Sequence, residues 1–240
     1  LWSVVSLGLI VVLRAHLVRV ILGSGAFDWE ATRLTAALLA ILAVGLVAQG
    51  LILLFSRALY AVRQSWRPLM YQVAGGALTV GLAAFFLSLS PEGLPASLAV
   101  LLRVSDISGT AILLLASAAT IGQIFLALLS LVALRNIAPG LARMLSRSLI
   151  DGSIAALAGG MATYTVLVFL GGIAPLTTLA AVFTQGCIAG IVGLATSALA
   201  LFLIENEEFR IVVGALDRLL QIHTGRSAVL APSAEEPTQP

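Results

Sequence analysis

Arg14, His16 and Arg19 interrupt the otherwise apolar run Leu1–Leu22. Ionisable side chains are costly in hydrocarbon, and where they occur they commonly serve function. Two guanidinium groups there suit contact with an anionic headgroup or a pyrophosphate. Equally, long Arg stems carry their charge out to the interface. Helical geometry does not let Arg14, His16 and Arg19 share one face. Arg103 and Asp106, three residues apart, are expected to form a local interfacial pair. Gln49, Gln123 and Gln185 lie within apolar runs, where hydrogen bonds between helices are the expected use of an amide. Gly75, Gly76, Gly81, Gly186 and Gly190 read as sites of close helix approach, and Cys187 as a small packing residue.

Motifs of catalysis are absent from the sequence: no phosphate-cradling GxxxxGK[ST] loop, no HExxH, no GxSxG and no metal-spaced His/Cys cluster. His16 and His223 are far apart, and the single Cys187 excludes an internal disulfide or a Cys-rich zinc module. Asp151-Gly152 resembles the start of a membrane phosphotransferase motif, yet no further acid follows until Glu205. Asp151 is therefore expected at a helix start, beside Arg147 and favoured by the N-terminal dipole. No catalytic residue, metal or cofactor is expected, and the chain does not read as an enzyme.

The elements that must hold these residues are set by composition. Of 240 residues 60% are hydrophobic and 10% charged, against roughly 45–50% and about 25% in soluble domains. Mean hydropathy is +1.10. The net charge of +2 is spread along the chain, so it is no nucleic-acid footprint. Stretches of about 20 apolar residues span hydrocarbon as helices, whose backbone groups are satisfied internally. Such stretches run over 1–22, 34–56, 68–91, 107–134, 152–170 and 177–204, with the Gly171-Gly172-Ile173-Ala174-Pro175 turn dividing the last two. The fold class expected is all-α, a polytopic membrane protein with six transmembrane helices. The start Leu1-Trp2-Ser3, inside an apolar run, reads as the interior of a longer chain.

Every second connection is basic. Arg57, Arg63 and Arg67 fall in one, and Arg135, Arg143 and Arg147 in another, while the alternate connections mix signs or carry no charge. The positive-inside rule places the basic connections, and the chain end, in the cytoplasm. Tyr60 and Trp66 suit the interfacial belt. After the last span, Phe209, Val212, Val213, Leu216, Leu219 and Leu220 recur at helical spacing against Glu207, Arg210, Asp217 and Arg218. This amphipathic helix either lies along the membrane surface or extends the last span. Residues 225–240 are expected to be disordered.

Two stretches resemble the MurJ/MviN family of lipid II flippases. One is Gly25-Ala26-Phe27-Asp28-Trp29-Glu30-Ala31-Thr32, which fits the family's G-x-F-x-x-x-x-T loop. The other is Leu59-Tyr60-Ala61-Val62-Arg63-Gln64-Ser65-Trp66-Arg67-Pro68, with Tyr60-Ala61 closing one helix and Pro68 opening the next. Gly109-Thr110-Ala111 to Leu134-Arg135 is similar to the helix that follows. Gly25, Phe27, Thr32, Tyr60, Ala61 and Pro68 are the motif positions, and the likeness extends over most of 1–204.

The resemblance implies a fourteen-helix, two-lobed transporter of the multidrug/oligosaccharidyl-lipid/polysaccharide exporter superfamily, of which these six helices correspond to the last six. It implies a division into 1–148, a four-helix part of the second lobe; 149–204, two helices forming a groove for a polyprenyl tail; 205–224, a cytoplasmic amphipathic helix; and the tail 225–240. The implied partners are an undecaprenyl-pyrophosphate-linked glycan, membrane lipids and an N-terminal lobe of the same protein, in the bacterial inner membrane. Arg14 and Arg19 are the candidate headgroup contacts. The sequence departs from the family at Gln64, often acidic there, and at Thr79 and Ala83, where some members bind sodium. Alternative readings are an O-antigen or exopolysaccharide flippase and a non-transporting membrane scaffold.

Overall fold

The computed structural model describes residues 1–23, 28–89, 99–100, 102, 104, 106–107, 109–135, 137–171 and 178–223, with side chains to 215. Its helices are α1 (Trp2–Leu22), α2 (Trp29–Ala61), α3 (Trp66–Leu89), α4 (Ala111–Arg135), α5 (Leu141–Gly171), α6 (Leu179–Leu203) and α7 (Glu207–His223). The first six are each long and apolar enough to cross a membrane. The architecture is all-helical among the described residues, as the apolar runs require.

Helix ends depart from the apolar runs because hydropathy finds the hydrocarbon stretch, not the helix. α2 has 33 residues, about 50 Å at 1.5 Å per residue, against about 30 Å of hydrocarbon. It begins at Asp28, whose Oδ1 accepts the Ala31 N–H at 2.8 Å. α5 begins at Leu141, ten residues before Asp151. Arg143, Arg147 and Asp151 are therefore helical, and the expected place of Asp151 at a helix N-terminus is corrected. Nothing between 141 and 151 breaks a helix, so α5 continues past the membrane surface.

Two turns close alike. Arg63 (φ 59°) follows α2 and Glu205 (φ 56°) follows α6, each in the left-handed region that usually favours glycine. The Gln64 N–H then donates to Leu59 O at 3.0 Å, and that of Asn206 to Leu201 O at 3.2 Å, satisfying carbonyls the helix leaves open. This turn breaks the chain between α6 and α7, so α7 is not an extension of the last span.

The six long helices form two groups. α4 packs between α2 and α3, while α5 and α6 pair as an antiparallel hairpin. α1 lies against α2 on one side and against α5 and α6 on the other, joining the groups. The start of α1, the α2–α3 turn, the end of α4, the start of α5 and the end of α6 share one face. That Arg-rich face exposes Arg57, Arg63, Arg67, Arg135, Arg143 and Arg147.

Close approach is specified by small residues. The backbone of Gly8 in α1 meets Ala156 of α5, where an added Cβ would stand 2.9 Å from the Ala156 Cβ. Gly75, Gly186 and Gly190 serve the packing role expected of them, facing Leu126, His16 and Leu13. Gly76 and Gly81 do not: an added Cβ on either would meet nothing within 4 Å, because both face away from α4.

Candidate functional site

α1 is flanked by two apolar crevices, one towards each end. Near the Arg-rich face, Val4 and Leu7 face Val47 and Leu51 of α2, Leu128 of α4 and Leu149 of α5 across a space of about 370 Å³. Ser153 on its wall turns its hydroxyl inward to its own helix, donating to Leu149 O at 2.7 Å. Further along, Leu13, Leu17, Val20 and Ile21 face Phe183, Gly186 and Cys187 of α6 across about 160 Å³. Cys187 is exposed on this wall, so its expected use as a packing residue is corrected.

Lipid tails are as apolar as Leu, so neither crevice draws a tail by the hydrophobic effect as it would in water. What favours occupancy is dispersion, since wall atoms without partners forfeit their contacts. A long, unbranched or isoprenoid chain fits such walls; a sugar or a charged group does not.

His16 is the polar group beside the second crevice. Its imidazole packs on Gly186, where an added Cβ would lie 3.3 Å from the His16 Cβ. Its two ring nitrogens and Gln185 Oε1 are buried side by side, close enough to interact but without a hydrogen bond of good geometry. Gln185 Nε2 donates to Leu167 O at 3.0 Å, the interhelical bond expected of that amide. Gln49 is exposed on the outside of α2. Gln123 presses its Oε1 towards Gly45, where an added Cβ would stand 2.6 Å away.

Arg14 and Arg19 are both half-buried. Arg19 lies with its guanidinium carbon 5.9 Å from the centre of the Trp29 ring, a cation–π contact that ties the end of α1 to the start of α2. Neither guanidinium lines a crevice, so the structure does not bring them together with the apolar walls.

The motif positions act on helix ends. Thr32 is buried and its Oγ1 donates to Asp28 O at 2.9 Å. Tyr60 is exposed, Ala61 is the last residue of α2, and Pro68 is buried in the first turn of α3, where a missing N–H leaves no bond unmade. Gly25 and Phe27 lie outside the described residues, as does Arg103. Thr79 Oγ1 donates to Gly75 O at 3.0 Å and presses on Gly122.

Two polar contacts had no signal in the spacing of the sequence. Arg33 makes paired bonds to Asp106, both 2.7 Å, across 73 residues. The expected partner of Asp106, Arg103, lies outside the described residues; the pair with Arg33 forms because folding brings α2 against this segment. The Arg33 guanidinium holds the Asp106 carboxyl below its ordinary range. On the Arg-rich face, Asn206 Nδ2 donates to Asp151 Oδ2 at 2.8 Å, a buried bond between α5 and the start of α7. Asn is a favoured N-cap residue, a cue not taken from the sequence that could have marked Asn206 but not its partner.

Residues 1–117 match the family model of the lipid II flippase MurJ, and the match ends within α4. No curated protein and no solved structure matches the chain.

Proposed function

We propose, from the match of residues 1–117 to the family model of the lipid II flippase MurJ, that this chain forms part of a transporter carrying a polyprenyl-pyrophosphate-linked glycan across the bacterial inner membrane. In this reading two lobes rock about a central cavity that opens to each side in turn. The residues 1–148 belong to the second lobe, and α5 and α6 shelter the polyprenyl chain of the cargo. The Arg-rich face is cytoplasmic, as the positive-inside rule gives it, and the chain ends there.

The observation that carries the proposal is the place of α1. It lies within the family match, and both apolar crevices run along it, one against α2, α4 and the start of α5 and one against α6. A chain-shaped apolar ligand can therefore lie against α1 in either half of the membrane. Arg14 and Arg19 sit on the same helix, in the half away from the Arg-rich face, within reach of an anionic headgroup.

The test uses the full-length protein in bacteria whose own lipid II flippase can be switched off. Leu17→Glu and Phe183→Glu place a carboxylate in the second crevice. Both variants are expected to reach the membrane in normal amounts and to leave lipid II inaccessible at the outer surface. Normal lipid II exposure in both would remove the crevice from the transport path.

A further inference from the structure

We infer that α7 is an in-plane interfacial helix, seated on the bundle by Phe209, whose Val212 and Val213 are buried in the lipid leaflet at the Arg-rich face. The inference goes beyond the transport reading and does not depend on it.

The direction of α7 is fixed at its first residues. α6 ends in the left-handed turn at Glu205. Asn206, buried behind that turn, holds two partners: its Nδ2 donates to Asp151 of α5 at 2.8 Å, and its Oδ1 accepts the Phe209 N–H at 3.1 Å. One side chain thus caps α7 and moors it to α5. The depth follows from length. The 25 residues of α6 rise about 37 Å, against about 30 Å of hydrocarbon, so the turn stands at headgroup level.

The face of α7 is set by Phe209. It packs against the buried group of Val5, Ala155 and Leu201, and its ring centre lies 6.3 Å from that of Trp2 at the start of α1. Val212 and Val213, three and four residues on, share that side of the helix and are 42% and 39% exposed. Glu207 and Arg210 turn the other way and border an open cleft with Ile211, Gly214 and Ala215. Ile211 departs from the pattern, standing on the polar side, 72% exposed.

The occupant of the apolar side is lipid because that side continues a lipid-facing surface. Phe202 and Leu203, the last exposed residues of α6, precede it directly, and Trp2 adjoins it. The face from which α7 departs exposes Arg57, Arg63, Arg67 and Arg143, complementary to anionic headgroups.

The test is depth measurement by spin labelling in vesicles of phosphatidylethanolamine and phosphatidylglycerol. Nitroxide is placed at V212C, V213C or R210C in full-length protein carrying Cys187→Ser. Labels at 212 and 213 are expected to collide with oxygen more than with a water-soluble nickel chelate, at a depth of about 5–10 Å below the phosphates. The label at 210 is expected to favour the chelate. Equal access of the chelate to all three sites would overturn the inference, placing α7 in water. Dipolar broadening at 212 and 213 that disappears on dilution with unlabelled protein would also overturn it, giving the face to a second copy. Two neighbouring apolar positions keep the result readable if one variant fails to fold.

Discussion

The α5–α6 hairpin and the α3–α4 pair are both made of apolar helices with glycines, yet they are held in different ways. In the hairpin, Ala155, Gly159 and Thr163 recur every fourth residue and face Ala189, Gly193 and Ser197, all of them buried. The helices come so close that Ser197 Oγ donates to Ala155 O across the seam at 3.0 Å. On α3 only Pro68 and Gly75 are buried. Gly75 lies against Leu126 of α4, while Gly76 and Gly81 meet nothing. The contrast teaches that a glycine brings helices together only where it recurs on the side that a partner occupies. In lipid no hydrophobic drive pulls helices together, so close backbone approach must supply the attraction. α3, with most of its side chains outward, remains a lipid-facing helix.

The hairpin seam offers the sharpest way to break this comparison. A Cβ on Gly159 would fall on Ser197 Oγ and 2.6 Å from Gly193 O. Gly159→Ala is expected to destabilise by about 2–3 kcal/mol, the cost of overpacking where the obstacle is backbone. Unfolding in mixed micelles with increasing denaturing detergent measures it, and an unchanged midpoint would mean that the helices can separate at no cost.

Asn206→Ala removes the mooring between α5 and α7 and leaves the buried Asp151 carboxylate without that donor. The expected loss is about 1–2 kcal/mol, together with faster proteolysis within α7, since the cap at Phe209 is lost too. A stability loss with unchanged proteolysis would separate the mooring from the cap.

On α3 the sign should reverse. Gly81→Ala adds a methyl group where nothing lies within 4 Å, and it is expected to stabilise by about 0.5–1 kcal/mol through the backbone entropy of the unfolded chain. A destabilised Gly81→Ala variant would mean that the open face of α3 has a partner.

The smallest effect belongs to the exposed pair Arg33–Asp106. The folded-state pKa of Asp106 is lowered from 3.8 by Arg33, so the pair's contribution is full above that value and is lost as pH falls through the lowered pKa. The difference in melting midpoint between the parent and Asp106→Asn is therefore expected to be small and constant from neutral pH down to about pH 5, and to vanish only in stronger acid. A difference that faded near neutrality would mean that Asp106 is not held by Arg33.

The sequence by itself determined that this is a helical membrane protein with six spans. Apolar length and the sparse charges decide that directly, because an unpaired backbone cannot cross hydrocarbon. It also determined the motif around Tyr60, Ala61 and Pro68, which closes one helix and opens the next through local turn chemistry, and it carried the family likeness that the match over 1–117 bears out. Helix ends were not legible in the apolar runs: the run 34–56 lies inside α2, which starts at the Asp28 cap, and charged residues likewise carry α5 back to Leu141. Only the tertiary structure decided which of several glycines are packed, that Arg33 takes Asp106, that Asp151 meets Asn206, and that α1 runs beside two apolar crevices. Each of these depends on which helix face meets which neighbour. Among helices that are apolar nearly all round, periodicity marks no inward side, so that choice is made by close contact between elements far apart in the chain.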